Sequence, residues 1–308
     1  LDGTHIDLYA NIEVPEDVVQ VKAVGAAGIG LYRTEFLFMN RRDAPSEEEQ
    51  FDAYRSVAEA LDGKPVTIRT LDLGADKEMN SDTERTCTNP ALGLRAIRLC
   101  LAEPQLFHTQ LRAILRASAF GNIQILIPML SSINELKQTL LLLERAKNTL
   151  RQEKTTFDEN IQVGGMIEIP AAALCAEAFA KELDFLSIGT NDLIQYSLAI
   201  DRTDDSVSHL YDPVHPAILN LVEMTIKAGK KLGKKVSVCG EMAGDTKLTR
   251  LLLGFGLRQF SMHPSHILMV KRQVLQSDIA KLSAASRKIL GCQDSEKIEP
   301  LIQKMNLQ

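Results

Sequence analysis

No apolar run in this 308-residue sequence approaches the ~18–20 residues that span a bilayer. The longest candidates, such as Leu140 to Leu143, are short and sit inside amphipathic patterns. No CxxC pair occurs either. Cys87, Cys100, Cys175, Cys239 and Cys292 are scattered and odd in number. That argues against a zinc ribbon or a dithiol redox motif and fits a reducing cytoplasm. Basic residues are not in excess: 35 Lys+Arg against 40 Asp+Glu leave a formal charge of −5. A nucleic-acid binder would usually show the opposite balance. The glycine pairs, such as Gly164-Gly165, form neither a GxGxxG fingerprint nor a P-loop. A signal peptide is missing, and so is an initiator Met: the chain opens at Leu1-Asp2-Gly3. The expectation is a piece of a longer protein, with something upstream. What remains is an ordinary globular composition, 45% hydrophobic and 24% charged, with enough apolar residues for a sizeable core.

The dominant pattern is alternation. Short β-branched apolar runs are each followed by segments of helical period. Strands are expected over residues 5–13, 28–35, 66–72, 123–130, 162–169, 185–190, 235–239 and 258–262. Between them the spacing predicts helices over 16–26, from Ser46 to about Leu61, 90–102, 105–119, 132–152, after Pro170, 192–199, 216–232, 246–254 and 265–276. Ser46-Glu47-Glu48-Glu49 reads as a capping box, and the break near Pro104 follows from its missing amide hydrogen. Eight strands with intervening helices predict an α/β fold, a (β/α)8 TIM barrel, rather than its alternative, a doubly wound open sheet. The barrel is assigned to residues 1–277. Residues 278–308 read as a C-terminal helical extension.

In such a barrel, chemistry gathers at the carboxyl ends of the strands. There the sequence places Arg33-Thr34-Glu35, Arg69 and Asp72, Glu168, Gly189-Thr190-Asn191-Asp192, and Cys239-Gly240-Glu241, with Arg202 in the loop after the sixth strand. Glu168 and Asp192 would end neighbouring strands. Without matching His or Cys ligands, two carboxylates suit a hard cation such as Mg2+. Helix capping or pairing with arginine explains them equally well. Arg33, Arg69 and Arg202 would face the same opening and offer planar forks for phosphate or carboxylate. An ordinary salt bridge is the competing fate, least easily for Arg69, inside a strand. Cys239 is either a small buried apolar side chain or, at a rim, a proton donor or nucleophile. The histidines read as bland: His108 as packing or surface, His215 as a helix opener, His263 and His266 as flanking Pro264 near the last strand, with contact to the site as the alternative for either.

The stretches GIGLYRTEFLFM, TIRTLDLGADK, NPALGLRAIRL, MIEIPAAAL, DFLSIGTNDLIQY, DRTDD, LYDPVHPA and VCGEMAGD occur in this order. Together they resemble the C-terminal half of enzyme I of the phosphoenolpyruvate:sugar phosphotransferase system, from near residue 5 to about residue 277. PEP synthases and pyruvate phosphate dikinases form the wider superfamily, but the spacing is closer to enzyme I. The resemblance implies a barrel that binds phosphoenolpyruvate (PEP) with Mg2+. Glu168 and Asp192 would hold the metal. Arg33, Arg69 and Arg202 would hold phosphate and carboxylate, with Asn191 and Asp192 at the substrate and Arg95 and Lys77 further out. Cys239 would protonate the enolate to give pyruvate. The family's phosphoacceptor histidine and its docking helices for the carrier protein HPr belong to an N-terminal domain, and none of the six histidines here has that context. A homodimer is also implied.

Overall fold

A computed structural model describes residues 2–39, 41, 43–74, 91–202 and 204–307. Eight parallel strands close in sequence order into a barrel, so the open sheet is excluded. The first half runs β1 (Asp7–Ile12), α1 (Val18–Ala23), β2 (Ile29–Arg33), α2 (Glu47–Ala60), β3 (Val66–Arg69), α3 (Ile97–Ala102), α4 (Pro104–Ala117), β4 (Ile123–Ile127) and α5 (Ile133–Gln152). The second runs β5 (Gln162–Ile167), α6 (Pro170–Leu174), α7 (Ala176–Glu182), β6 (Phe185–Ile188), α8 (Thr190–Leu198), α9 (Pro216–Leu232), β7 (Lys235–Val238), α10 (Glu241–Gly244), α11 (Thr246–Phe255), β8 (Gln259–Met262) and α12 (Pro264–Leu275). Two helices follow, α13 (Ile279–Leu290) and α14 (Ser295–Asn306).

The local signals act as chemistry demands. Ser46 and Ser132 cap α2 and α5, each accepting from the amide of a glutamate three residues on, Glu49 and Glu135, whose side chains reach back to the cap. This satisfies amides that the first helical turn leaves without partners. His215 opens α9 by accepting from Ala217 N at 3.2 Å, and His263 does the same for α12. Most strands are shorter than their apolar runs. β2 stops at Arg33 and passes into a 3-10 turn over Thr34–Leu37, and β3 stops at Arg69. The helix expected over 90–102 begins only at Ile97, because Arg95 forms a bridge back to Gly74 instead.

Two apolar layers hold the barrel. The larger packs the outward strand faces under the helices; the smaller fills the barrel with Leu31, Leu126, Met166, Phe185 and Cys239. The Gly164-Gly165 pair explains itself here. A Cβ at Gly164 would collide with the Phe185 ring, and one at Gly165 would lie 2.7 Å from Leu183 Cδ1. Beyond the barrel, α13 and α14 lie against α11. The buried Arg250 donates from Nη1 to the carbonyls of Met305 and Asn306 at 3.2 and 3.0 Å, which ties the end of the chain to α11. Among the described residues, no helix is long and apolar enough to cross a membrane.

Candidate active site

Register decides which side chains meet. Arg33 on β2 pairs with Arg69 on β3. Ile167 on β5 pairs with Ile188 on β6, and Ile188 with Val238 on β7. One residue further along each strand, Glu168, Gly189 and Cys239 therefore arrive together at the carboxyl rim. A cavity of about 1220 Å³ opens there, and its lining includes Arg33, Arg69, Glu168, Asn191, Asp192, Arg202 and Cys239. All seven residues expected at the site share one cavity. Arg95 also lines it; Lys77 lies outside the described residues.

The acids form its floor. Oxygens of Asp72, Glu168 and Asp192 lie within 4.8 Å of one another. Glu168 is 1% exposed and accepts from Met129 N at 2.6 Å, with Met129 held at φ 58°. Backbone in this left-handed region is costly for a residue with a side chain and collects at functional sites. Burial, then the charges of Asp192 and Asp72, push the Glu168 carboxyl well above its ordinary range, against the pull of Arg69. Asp72 is paired with Arg69 and Arg95, yet crowding with Asp72 and Asp192 still disfavours charge on Glu168. A divalent cation with oxygen ligands would fit this donor set. Gly189 makes the crowding possible: a Cβ there would lie 2.7 Å from Glu168 Oε2.

The arginines meet their carboxylates at the same rim. Arg69 contacts Glu35 at 3.1 Å and Asp72 at 3.0 Å. Burial opposes its charge, but Glu35, Asp72 and Glu168 outweigh that and hold the guanidinium above its ordinary value. Its Nε is buried without a protein partner, a donor left for something else. Arg95 reaches Asp72 at 2.8 Å and donates to Tyr196 Oη at 3.2 Å. Arg33 reaches Glu13 at 2.7 Å and Arg202 reaches Glu241 at 3.2 Å. These last two pairs are partly exposed, where an ion pair is worth only about 0–1 kcal/mol, so an anionic ligand could displace either carboxylate at small cost. Asn191 Oδ1 accepts from Glu241 N at 2.8 Å, which joins the ends of β6 and β7.

Cys239 stands at the inner end. It is 3% exposed, packs in the barrel-interior cluster, and lies 3.6 Å from the Ile188 carbonyl. Burial pushes its thiol up to about 11, so it keeps its proton at neutral pH. Asn11 Nδ2 donates to the Cys239 carbonyl at 2.9 Å and fixes that backbone.

Some of the lining was given no role by sequence reasoning. Asp72 joins the acidic cluster although the sequence assigned the metal only to Glu168 and Asp192. Its signal was present, three residues after Arg69 and just past the strand. Glu13 follows β1 directly, as a rim residue should. Asn11, Tyr211, His263 and His266 also line the cavity. No sequence motif marked Asn11; Tyr211 stands in the LYDPVHPA stretch but was given no role, and the two histidines had read as flanking residues, with contact to the site as the alternative.

Comparison with known proteins agrees with this geometry. The family model described as PEP-utilising enzyme, PEP-binding domain, matches residues 1–279. Three relatives are named phosphoenolpyruvate-protein phosphotransferase. The one from Cupriavidus necator is 55% identical over 300 residues, 96% of this chain and 51% of its own length. The one from Priestia megaterium is 50% identical over 297 residues, 96% of this chain and 52% of its own. The one from Staphylococcus aureus strain MSSA476 is 48% identical over 302 residues, 98% and 53%. The chain thus spans about half the length of these relatives. Among solved structures, a citrate lyase from Burkholderia xenovorans LB400 superposes with a TM-score of 0.56 at 14% identity, covering 100% of this chain and 92% of that one. The Haloferax volcanii malate synthase pyruvate/acetyl-CoA ternary complex gives 0.56 at 14%, covering 89% and 71%. At such identities they attest the barrel fold alone. With its strand order, its rim and 279 residues under one family model, the chain belongs to the PEP-utilising enzymes as their PEP-binding domain.

Proposed function

We propose that this chain is the PEP-binding and dimerisation part of a phosphoenolpyruvate-protein phosphotransferase, enzyme I. In that reading PEP gives its phosphoryl group to a histidine of the enzyme's own N-terminal domain, from which it passes to HPr, with release of pyruvate as the first step of sugar uptake. The barrel over residues 1–277 is the catalytic unit, and residues 278–308 extend it. The working enzyme is a cytoplasmic homodimer. The observation that carries the reading is that three arginines share one mouth with the acidic cluster of Asp72, Glu168 and Asp192. A small polyanion with two charged ends, phosphate and carboxylate, matches that layout.

The mechanism follows from the residues. Phosphoryl transfer needs positioning and charge neutralisation more than covalent help. Arg33, Arg69 and Arg202 clamp the substrate's anionic groups, and Asn191 and Asp192 contact it beside them. Glu168 and Asp192 would hold Mg2+, with Asp72 beside them. An ion held there would supply charge neutralisation during the transfer. As the bridging P–O bond breaks, the phosphoryl group leaves for the histidine and its electron pair stays on the enolate. Cys239 then gives its Sγ proton to the methylene carbon, and pyruvate forms. A thiol that keeps its proton at neutral pH suits a donor and not a nucleophile.

Calorimetric titration of PEP into this chain, with and without Mg2+, tests the proposal. Saturable, Mg2+-dependent binding without pyruvate release is expected, because the phosphoacceptor histidine belongs to the N-terminal domain. No binding under either condition would overturn it.

A further inference from the structure

The inward face of α4 is apolar, built from Phe107, Leu111, Ala113, Ile114, Leu115 and Ala117, with one exception: Gln110, 1% exposed. A buried amide is costly unless its hydrogen bonds are made, and all of those made by Gln110 lie in one direction. Its Oε1 accepts from Leu71 N at 2.9 Å. Its Nε2 donates to Thr34 Oγ1 at 3.1 Å and to Tyr54 Oη at 3.3 Å. Thr34 Oγ1 donates in turn to the Arg69 carbonyl at 2.9 Å. Tyr54 donates to Gln50 Oε1 at 3.2 Å, and Gln50 donates to the Pro45 carbonyl at 3.0 Å. Beside Thr34, Glu35 accepts from Asp72 N at 2.9 Å and pairs with Arg69.

Gln110 does not line the cavity. Yet side chains grip the turn from Arg69 to Asp72 at three backbone points, Arg69 O, Leu71 N and Asp72 N, beside the bond of Thr70 N to the Leu126 carbonyl at 3.0 Å, and two of the three lead to Gln110. The turn carries the buried guanidinium and a carboxylate of the acidic cluster. We propose that Gln110 is a positioning residue: from behind the barrel wall it sets the Arg69–Asp72 turn, and so the place of both side chains in the mouth. The ligand in this inference rests on the PEP reading above; the backbone grip does not.

The test uses this chain with two readouts, PEP titration in Mg2+ and amide hydrogen exchange over residues 69–74 by NMR. Gln110→Met keeps the length of the side chain and removes its acceptor and donor. Gln110→Glu restores the acceptor for Leu71 N. Ser118→Ala is the control, because Ser118 is a buried hydroxyl just past α4 that accepts from Asp158 N at 2.8 Å and touches nothing in the turn. For Gln110→Met, Leu71 exchange should quicken and PEP affinity fall about tenfold or more, the scale at which small misplacements act. Gln110→Glu, which still lacks the donor to Thr34 Oγ1 and Tyr54 Oη, should recover Leu71 protection and part of the affinity. Ser118→Ala should lower the melting temperature and move neither.

Unchanged Leu71 protection in Gln110→Met, or equal loss of affinity in Ser118→Ala, overturns the inference. If Gln110→Met does not fold, Gln110→Glu decides. Kept Leu71 protection, or protection and affinity lost together, supports the grip, and protection lost with unaltered affinity refutes it. If the unaltered chain fails to bind PEP, the functional reading falls. Leu71 protection, lost in Gln110→Met and kept in Ser118→Ala, then decides the positioning role alone.

Discussion

Glu168→Gln should make the metal-free protein more stable and its substrate site useless. Glu168 is buried, and its carboxylate shares a 4.8 Å cluster with Asp72 and Asp192. At an effective dielectric of about 20, two unit charges about 5 Å apart repel by roughly 3 kcal/mol. Glu168 has two such neighbours and its own burial against it, while Arg69 pulls the other way. The balance stands against the charge, since the carboxyl is raised well above its ordinary value. A neutral amide of the same shape keeps the acceptor for Met129 N and loses the repulsion. The net gain should be about 1–3 kcal/mol, or roughly 2–6 °C in melting temperature for a domain of this size. The assay is differential scanning calorimetry of both proteins at neutral pH in excess chelator, followed by PEP titration in Mg2+. Stability at an active site is commonly sacrificed for function in this way. A variant melting several degrees lower would refute the reasoning, because Glu168 would then be a net structural contact. Unaltered Mg2+-dependent PEP binding would remove it from the metal site.

Three further outcomes are expected. Cys239→Ala should leave PEP affinity within about twofold and slow pyruvate formation in the complete enzyme by about 10²–10⁴, the usual share of a general acid; an unchanged turnover would end the proton-donor role. Gly189→Ala would press a methyl group against Glu168 Oε2 and should cost about 1–3 kcal/mol together with the metal dependence of PEP binding, both absent if the rim relaxes freely. Glu47 is opposed by burial but bonded to Arg112 at 2.6 Å and Arg116 at 2.8 Å, which carry its carboxyl below the ordinary 4.5. Its stabilisation is therefore present above pH 4.5 and lost as pH falls through its lower folded value. Glu47→Gln should lose about 1–2 kcal/mol at pH 7, discounted for partial exposure, and little at pH 2–3; urea unfolding at both values would show it.

Much of this was legible in residue order. Short β-branched apolar runs alternating with helical segments mark eight strands whatever their contacts, because strands covered on both faces read as continuous apolar runs while helices keep their own period. Ser46 with Glu49, Pro104, and His215 before Pro216 mark helix starts, since capping is a local matter. Once a parallel barrel is accepted, strand ends must share one face, so Arg33, Arg69, Glu168, Asn191, Asp192, Arg202 and Cys239 could be gathered from one dimension. What the chain order could not express was who faces whom. Asp72 joins the acids because β3 ends at Arg69 and the turn doubles back, which depends on hydrogen bonds to Glu35 and Gln110, 37 and 39 residues away. Gln110 looks like any polar residue on an amphipathic helix until α4 is packed against α2, within reach of the turns that follow β2 and β3. Cys239 reads as a rim thiol, yet its burial among Leu31, Leu126, Met166 and Phe185, which keeps its proton in place, arises only when the barrel closes. Periodicity and capping act between near neighbours and survive in the sequence. Charge, burial and protonation depend on distances through space, and only the closed barrel sets those.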